Sequence, residues 1–286
     1  MTFIMVQRFD AILLCGAMGA GLAGPAVAQS RAEGVLSDRL VVNLGGFIFE
    51  TGVRANLNGQ SSQNPEIDFD ETFGEGGDAR RVRADVLWRV TPGHHLRFMY
   101  FDNANTRSRV LAEDVKWGDY TFLAGTQAEF EHAFEVYSVA YEWAFMRSST
   151  YEVAASLGVH YMDMRFTLSG TVDGTDPDGT PVGGVARVKT TDLPAPLPML
   201  GLRAGWAVAP AWHVDAQVQF FKAKVDGYDG RWSDARVAAT WMLRRHFGVG
   251  VGYNWFRTRI DVEKSDFNGR LKLGYSGLQA FLTGTF

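Results

Sequence analysis

The sequence predicts an all-β chain folded as an antiparallel, up-and-down β-barrel, with ten strands as the reading and eight or twelve as the neighbouring counts. Three observations carry this. Apolar and polar residues alternate with a period of two through one segment after another, as they do in strands that have one face in and one face out. The connections between segments alternate strictly between tight and long. Glycine (32 residues) and aromatics (13%) are abundant, which suits many strands joined by turns.

The candidate strands are 39–57, 79–91, 95–106, 126–146, 150–166, 188–208, 211–225, 232–244, 247–263 and 269–286. Tight connections follow the even-numbered strands: Thr91-Pro92-Gly93-His94, Arg147-Ser148-Ser149, Pro210-Ala211 and Arg244-Arg245-His246. Long stretches rich in Gly, Asp and Asn follow the first, third and fifth, including 58–78 and 169–187. In the second strand Val82, Ala84, Val86, Trp88 and Val90 alternate with Arg81, Arg83, Asp85, Leu87 and Arg89. The sixth opens on Leu193-Pro194-Ala195-Pro196-Leu197-Pro198, where each proline removes a ladder donor. Regular strand is therefore expected only from about Met199. In the seventh, Trp212, Val214, Ala216, Val218 and Phe220 face away from His213, Asp215, Gln217, Gln219 and Phe221. The eighth sets Ala235, Val237, Ala239, Trp241 and Leu243 against Arg236, Thr240 and Arg244, and the ninth sets Phe247, Val249, Val251, Tyr253 and Trp255 against three glycines and Asn254. The tenth alternates from Leu271 to a final aromatic, Phe286.

A soluble barrel would also alternate, with its apolar face inward. Two features favour a transmembrane barrel. Trp88, Trp143, Phe145, Tyr151, Trp206, Trp212, Trp241 and Phe247 sit on the apolar faces near the tight turns, where an interfacial girdle belongs. The opposite faces combine arginine, carboxylates and glycine, a poor exterior but a good packed lumen.

This pattern, with its C-terminal strand ending on Phe286, resembles bacterial outer-membrane β-barrels of the small porin-like type. The resemblance covers residues 39–286 and rests on architecture more than on a signature motif. It implies a Gram-negative outer membrane, short turns and both termini on the periplasmic side, and long loops outside. It also implies lipid and lipopolysaccharide around the wall, and a barrel assembly machinery that reads Phe286.

The N-terminus agrees with export. Residues 11–24 are apolar and small, and Pro25-Ala26-Val27-Ala28 offers a cleavage site before Gln29, so residues 1–28 read as a signal peptide. The apolar run is shorter than the roughly 20 residues a spanning helix needs. The only cysteine, Cys15, lies inside it, so the mature chain has no disulfide. Residues 29–38 read as a short periplasmic segment before the barrel. The remainder carries no linker and is read as one domain. The net charge of −4 excludes a nucleic-acid footprint.

Charges inside a barrel need partners, because an unpaired ion removed from water costs several kcal/mol. The expected inward set is Glu50, Arg54, Arg81, Arg83, Asp85, Arg89, Arg97, Glu142, Glu152, His160, Arg203, His213, Asp215, Arg236 and Arg244. It contains both signs. It can form a packed ion-pair network, or a narrow aqueous path biased toward anions. His213-Val-Asp215 is similar to the Asp/His pair of the omptin proteases, but it follows a tight turn, at the wrong end for such a site. His160 and Ser156 share an inward face, whereas a lipid-modifying enzyme would place such a pair toward lipid. Asp173, Asp176 and Asp178 approach a calcium-loop spacing without its bidentate glutamate. The expectation is a non-enzymatic barrel, structural or narrowly conducting, without cofactor or metal. The competing reading is an adhesin or interaction protein working through its outer loops, and behind it an outer-membrane lipid-modifying enzyme.

Overall fold

The computed structural model describes residues 31–57, 67–68, 72, 78–117, 120–176, 179–225, 228–263 and 268–286, with backbone alone at 47–57, 67–68, 78–81 and a few further strand positions. Residues 1–28, read from the sequence as a signal peptide, the expected cleavage site at Ala28–Gln29 and most of the segment 58–78 lie outside the described residues.

Ten long antiparallel strands close into a barrel. They are β1 (Leu40–Leu57), β3 (Asp78–Thr91), β4 (His94–Val110), β7 (Gln127–Arg147), β8 (Tyr151–Thr175), β9 (Pro181–Ala209), β10 (Trp212–Val225), β11 (Tyr228–Arg244), β12 (Phe247–Glu263) and β13 (Asn268–Thr285). Each pairs with its sequence neighbour, and β13 returns to β1 over the whole register from Val41↔Thr285 to Leu57↔Gly269. Short pieces decorate this wall: β2 (Ile67–Asp68) on β1, and β5 (Val115–Trp117) with β6 (Tyr120–Phe122), the latter paired to β8.

Side-chain exposure follows the alternation. All eight aromatics of the expected lower girdle are exposed, from Trp88 at 39% to Trp143 at 53%. Leu278, Leu282 and Phe286 are also outward, while Gln279 and Phe281 are buried within. Polar residues in and large apolar residues out invert the order of a soluble barrel; this exterior is built for lipid.

The four tight turns fall where expected, and each carries a register shift: Arg89/Thr91, Ala144/Met146, Trp212/His213 and Met242/Arg244. Such bulges re-aim side chains at barrel rims. Arg244 is therefore not a lumen residue. Past the bulge it stands opposite Phe247 and is exposed, and Met242 takes the buried position.

The segment 169–187 is not a loop. β8 and β9 run on as a hairpin, paired from Tyr151↔Trp206 to Thr175↔Pro181. β4, β7 and the β5–β6 hairpin line the same flank, and one apolar core runs from the lumen into this extension, where it includes Leu111, Trp117, Phe122, Phe130, Leu168 and Val172. Its tip is clasped by Asp176: Tyr120 Oη donates to Oδ1 at 2.6 Å, and Arg187 donates through Nε at 3.1 Å and Nη2 at 2.7 Å. Arg187 and Tyr120 hold the Asp176 carboxyl down to about 2. Because this folded value lies below the ordinary one, the clasp contributes at every pH above the ordinary carboxylate range and is lost only as pH falls toward the folded value. Hydrogen exchange of residues 181–189, corrected for intrinsic rates, is expected to show the same protection at about pH 4 as at about pH 7. Asp176→Asn is expected to lose protection at both. Wild-type protection that disappears at the lower pH would show that the clasp does not hold the hairpin.

The proline segment is regular strand as well, contrary to the expectation that it begins only near Met199. Pro194, Pro196 and Pro198 share one parity, so their missing donors all point to one edge of β9. The other edge pairs with β8 throughout. On the proline edge, pairing with β10 ends at Leu200↔Phe220, so the prolines sit where no donor is required.

Candidate functional site: the lumen

The lower half of the lumen, toward the tight turns, is a charge network. Arg97 on β4 donates from Nε to Glu142 of β7 at 2.7 Å and from Nη1 to Asp85 of β3 at 2.7 Å. Arg203 on β9 donates from Nε to the other oxygen of Glu142 at 2.9 Å and from Nη2 to Glu152 of β8 at 2.6 Å. Arg89 Nη2 lies 3.7 Å from Glu152. One connected chain of charges therefore crosses the lumen from β3 to β9.

A second group completes the layer. Arg236 on β11 donates to Asp215 of β10 at 2.7 Å and to Gln279 of β13 at 3.3 Å, with its guanidinium over the Phe281 ring at 5.3 Å. Arg83 reaches Asn254 Oδ1 at 3.2 Å, and Asn254 donates to Asp234 at 2.8 Å. Arg83, Arg89, Arg97, Arg203 and Arg236 thus meet Asp85, Glu142, Glu152, Asp215 and Asp234, one carboxylate for each guanidinium. Short bonds to ionised partners are the condition under which buried charge is tolerated.

Above this layer the lumen turns apolar. Phe101, Phe134, Met162, Met199, Trp232 and Phe256 fill it, and a cavity among Phe101, Phe134, Met162 and Phe256 measures about 20 Å³, room for about one water. Below, the short helix α1 (Glu33–Ser37) packs into the turn-side mouth, with Val35 and Leu36 buried, beside a groove of about 530 Å³ that reaches Arg89. Arg89 holds it by donating to the carbonyls of Val35 at 2.9 Å and Asp38 at 2.7 Å. Arg245 donates to both Asp38 carboxylate oxygens at 2.6 Å. Burial raises the Asp38 carboxyl, but hydrogen bonds from Arg245 and Thr285 and the charges of Arg245 and His246 together outweigh it and leave the group lowered.

Most of the expected inward set converges here: Arg83, Asp85, Arg89, Arg97, Glu142, Glu152, Arg203, Asp215 and Arg236. His213 and His160 are buried in the same lumen. His160 stands 3.3 Å from Gln219 and packs edge-on against Trp232, and Ser156 is buried on the same strand face. The register sets Glu50 against Ser276 and Arg54 against Lys272. The side chains of Glu50, Arg54 and Arg81 lie outside the described residues. The expected set omitted Asp234, Asn254, Gln279 and His95, although each shares the parity of an assigned inward neighbour: Asp234 of Arg236, and His95 of Arg97.

Fold and belt together define the class: a transmembrane β-barrel of the outer-membrane type. No protein-family model and no curated protein sequence matches the chain. Among solved structures the chain is similar to the outer membrane protease OmpT from Escherichia coli, with a TM-score of 0.54, 10% identity, and coverage of 86% of this chain and 96% of that one. The translocator domain of the autotransporter NalP from Neisseria meningitidis aligns with a TM-score of 0.43 and 11% identity, over 87% of this chain and 89% of that one. At such identity the likeness to OmpT is one of fold. The His213–Asp215 pair here lies at the tight-turn end, with Asp215 held by Arg236.

Proposed function

We propose that the protein is a non-enzymatic structural barrel of the outer membrane whose lumen is closed to ions. One observation carries this reading: among the described residues the charge network and the apolar layer above it fill the lumen, and the cavity where they meet is about 20 Å³. Conduction needs a continuous wet path. The test is planar-bilayer recording of the refolded mature protein. No unitary current above the lipid baseline is expected, and stable anion-selective steps would overturn the reading.

A second reading has its own support. The β8–β9 hairpin, with β4, β7 and the β5–β6 hairpin, stands beyond the barrel as an ordered sheet with a packed core. Such a platform suits an interaction protein, and a wall that only separates two compartments has no need of it.

A further inference from the structure

On the outward face of β10–β13, four cations stand in direct register. Lys222 opposes Arg231, Arg231 opposes Arg259, and Arg259 opposes Lys272. Like charges directly opposite one another on adjacent strands are unfavourable. Lys224 and Arg257 extend the arc, and Arg257 lies over the Trp255 ring at 4.7 Å. Arg259 shares Asp261 with Arg270. Among the described side chains, Asp229 and Asp261 are the acids of the adjoining row. The arc is a matter of placement and not of composition, since the whole chain carries a net charge of −4. At about the same height on the opposite flank the register row is acidic: Asp102, Glu135, Asp163.

Height identifies what the arc meets. Lys222 is ten positions along β10 from the girdle residue Trp212, and Arg231 is ten along β11 from Trp241. At the usual strand rise and tilt this is about 25 Å, the height of the apolar band of such barrels. The arc therefore lies at the headgroup level of the loop-side leaflet. Directly beneath it, Ser233 and Ala235 of β11 form a low strip flanked by Phe220 and Val218 on one side and Trp255 on the other. A row of cations above a shallow apolar strip matches a lipid with a phosphate-bearing headgroup and acyl chains.

We propose that this arc is a binding site for a phosphorylated lipid of the leaflet around the loop-side rim, with the phosphates across Lys222, Arg231 and Arg257 and an acyl chain along the Ser233–Ala235 strip. The anion would relieve the repulsion that the register builds in.

The test is native mass spectrometry of the mature protein in neutral detergent, with bisphosphorylated lipid A, the same lipid dephosphorylated, and inorganic phosphate as probes. The wild type is expected to retain the phosphorylated lipid, and to release it at high salt because the site is solvent-facing. Lys222→Gln/Arg231→Gln/Arg257→Gln is expected to bind about a hundredfold more weakly, since each cation near an anionic lipid surface contributes separately. Arg39→Gln/Arg244→Gln, exposed cations at the other end, is expected to bind as the wild type does. Equal retention of the dephosphorylated lipid, or full retention by the triple variant, would overturn the proposal. So would inorganic phosphate bound as tightly as the lipid, or a stable dimer lost in the triple variant, which would assign the arc to a second copy.

Discussion

Replacing Glu142 by glutamine is expected to destabilise the barrel by about 3–5 kcal/mol, the cost of removing one partner from a buried charge pair, while ion current stays at zero. Glu142 is 1% exposed and accepts from both Arg97 and Arg203. The neutral amide keeps the volume, but it leaves two guanidiniums in the lumen with one carboxylate fewer between them. Arg236→Gln is expected to act in the same direction through Asp215. The measurement is denaturant unfolding in detergent, followed by the heat-dependent shift in gel mobility. If the lumen were water-filled, these charges would be solvated and the loss would be about 0–1 kcal/mol. A loss that small, with a change in ion selectivity, would refute the packed-network account.

The next largest effect is expected at the closing seam. Phe281 of β13 stands in register between Gly45 of β1 and Gly250 of β12. A β-carbon on Gly250 would come within 2.2 Å of the Phe281 ring, and one on Gly45 within 2.1 Å of the Ala280 carbonyl oxygen. The ring thus occupies the space that Gly250 leaves open, while Gly45 lets the β13 backbone come close, and Arg236 stacks upon the ring. Phe281→Ala is expected to cost about 3–5 kcal/mol, as large-to-small changes of a buried aromatic do. The pairing gives a sharper check through a double-mutant cycle. Gly250→Ala is expected to destabilise the wild type by overpacking, yet to be neutral or stabilising when residue 281 is alanine. Equal effects in both backgrounds would show that the ring and the glycine do not share that space.

How much of this was legible follows from what a period of two can carry. Alternation and the tight-turn residues placed the ten long strands, and they placed the outward aromatics and most of the lumen charges, because burial on one face is a local property of a strand. The same rule failed where its phase was broken. A bulge beside the last tight turn of the barrel took Arg244 out of the lumen, and nothing in its neighbours announces a bulge. Gly and Asp in 169–187 suggested loop, and the prolines of 193–198 an irregular start to the sixth strand, but pairing to β8 on one edge suits a strand with those residues.

The sequence by itself determined the architecture and the compartment-facing chemistry: an antiparallel barrel of about ten strands, an apolar belt with its girdle, and a lumen charge inventory of both signs. Only the tertiary structure decided how that inventory is used. Sequence alternation says which side of the wall a residue occupies, but not which residue it meets across the lumen. That Arg97, Glu142, Arg203 and Glu152 link into one chain, that aromatic and methionine side chains fill the lumen above them, and that four cations align on the outer wall all depend on strand register and barrel closure. Those are contacts between residues distant in sequence, and no local pattern encodes them.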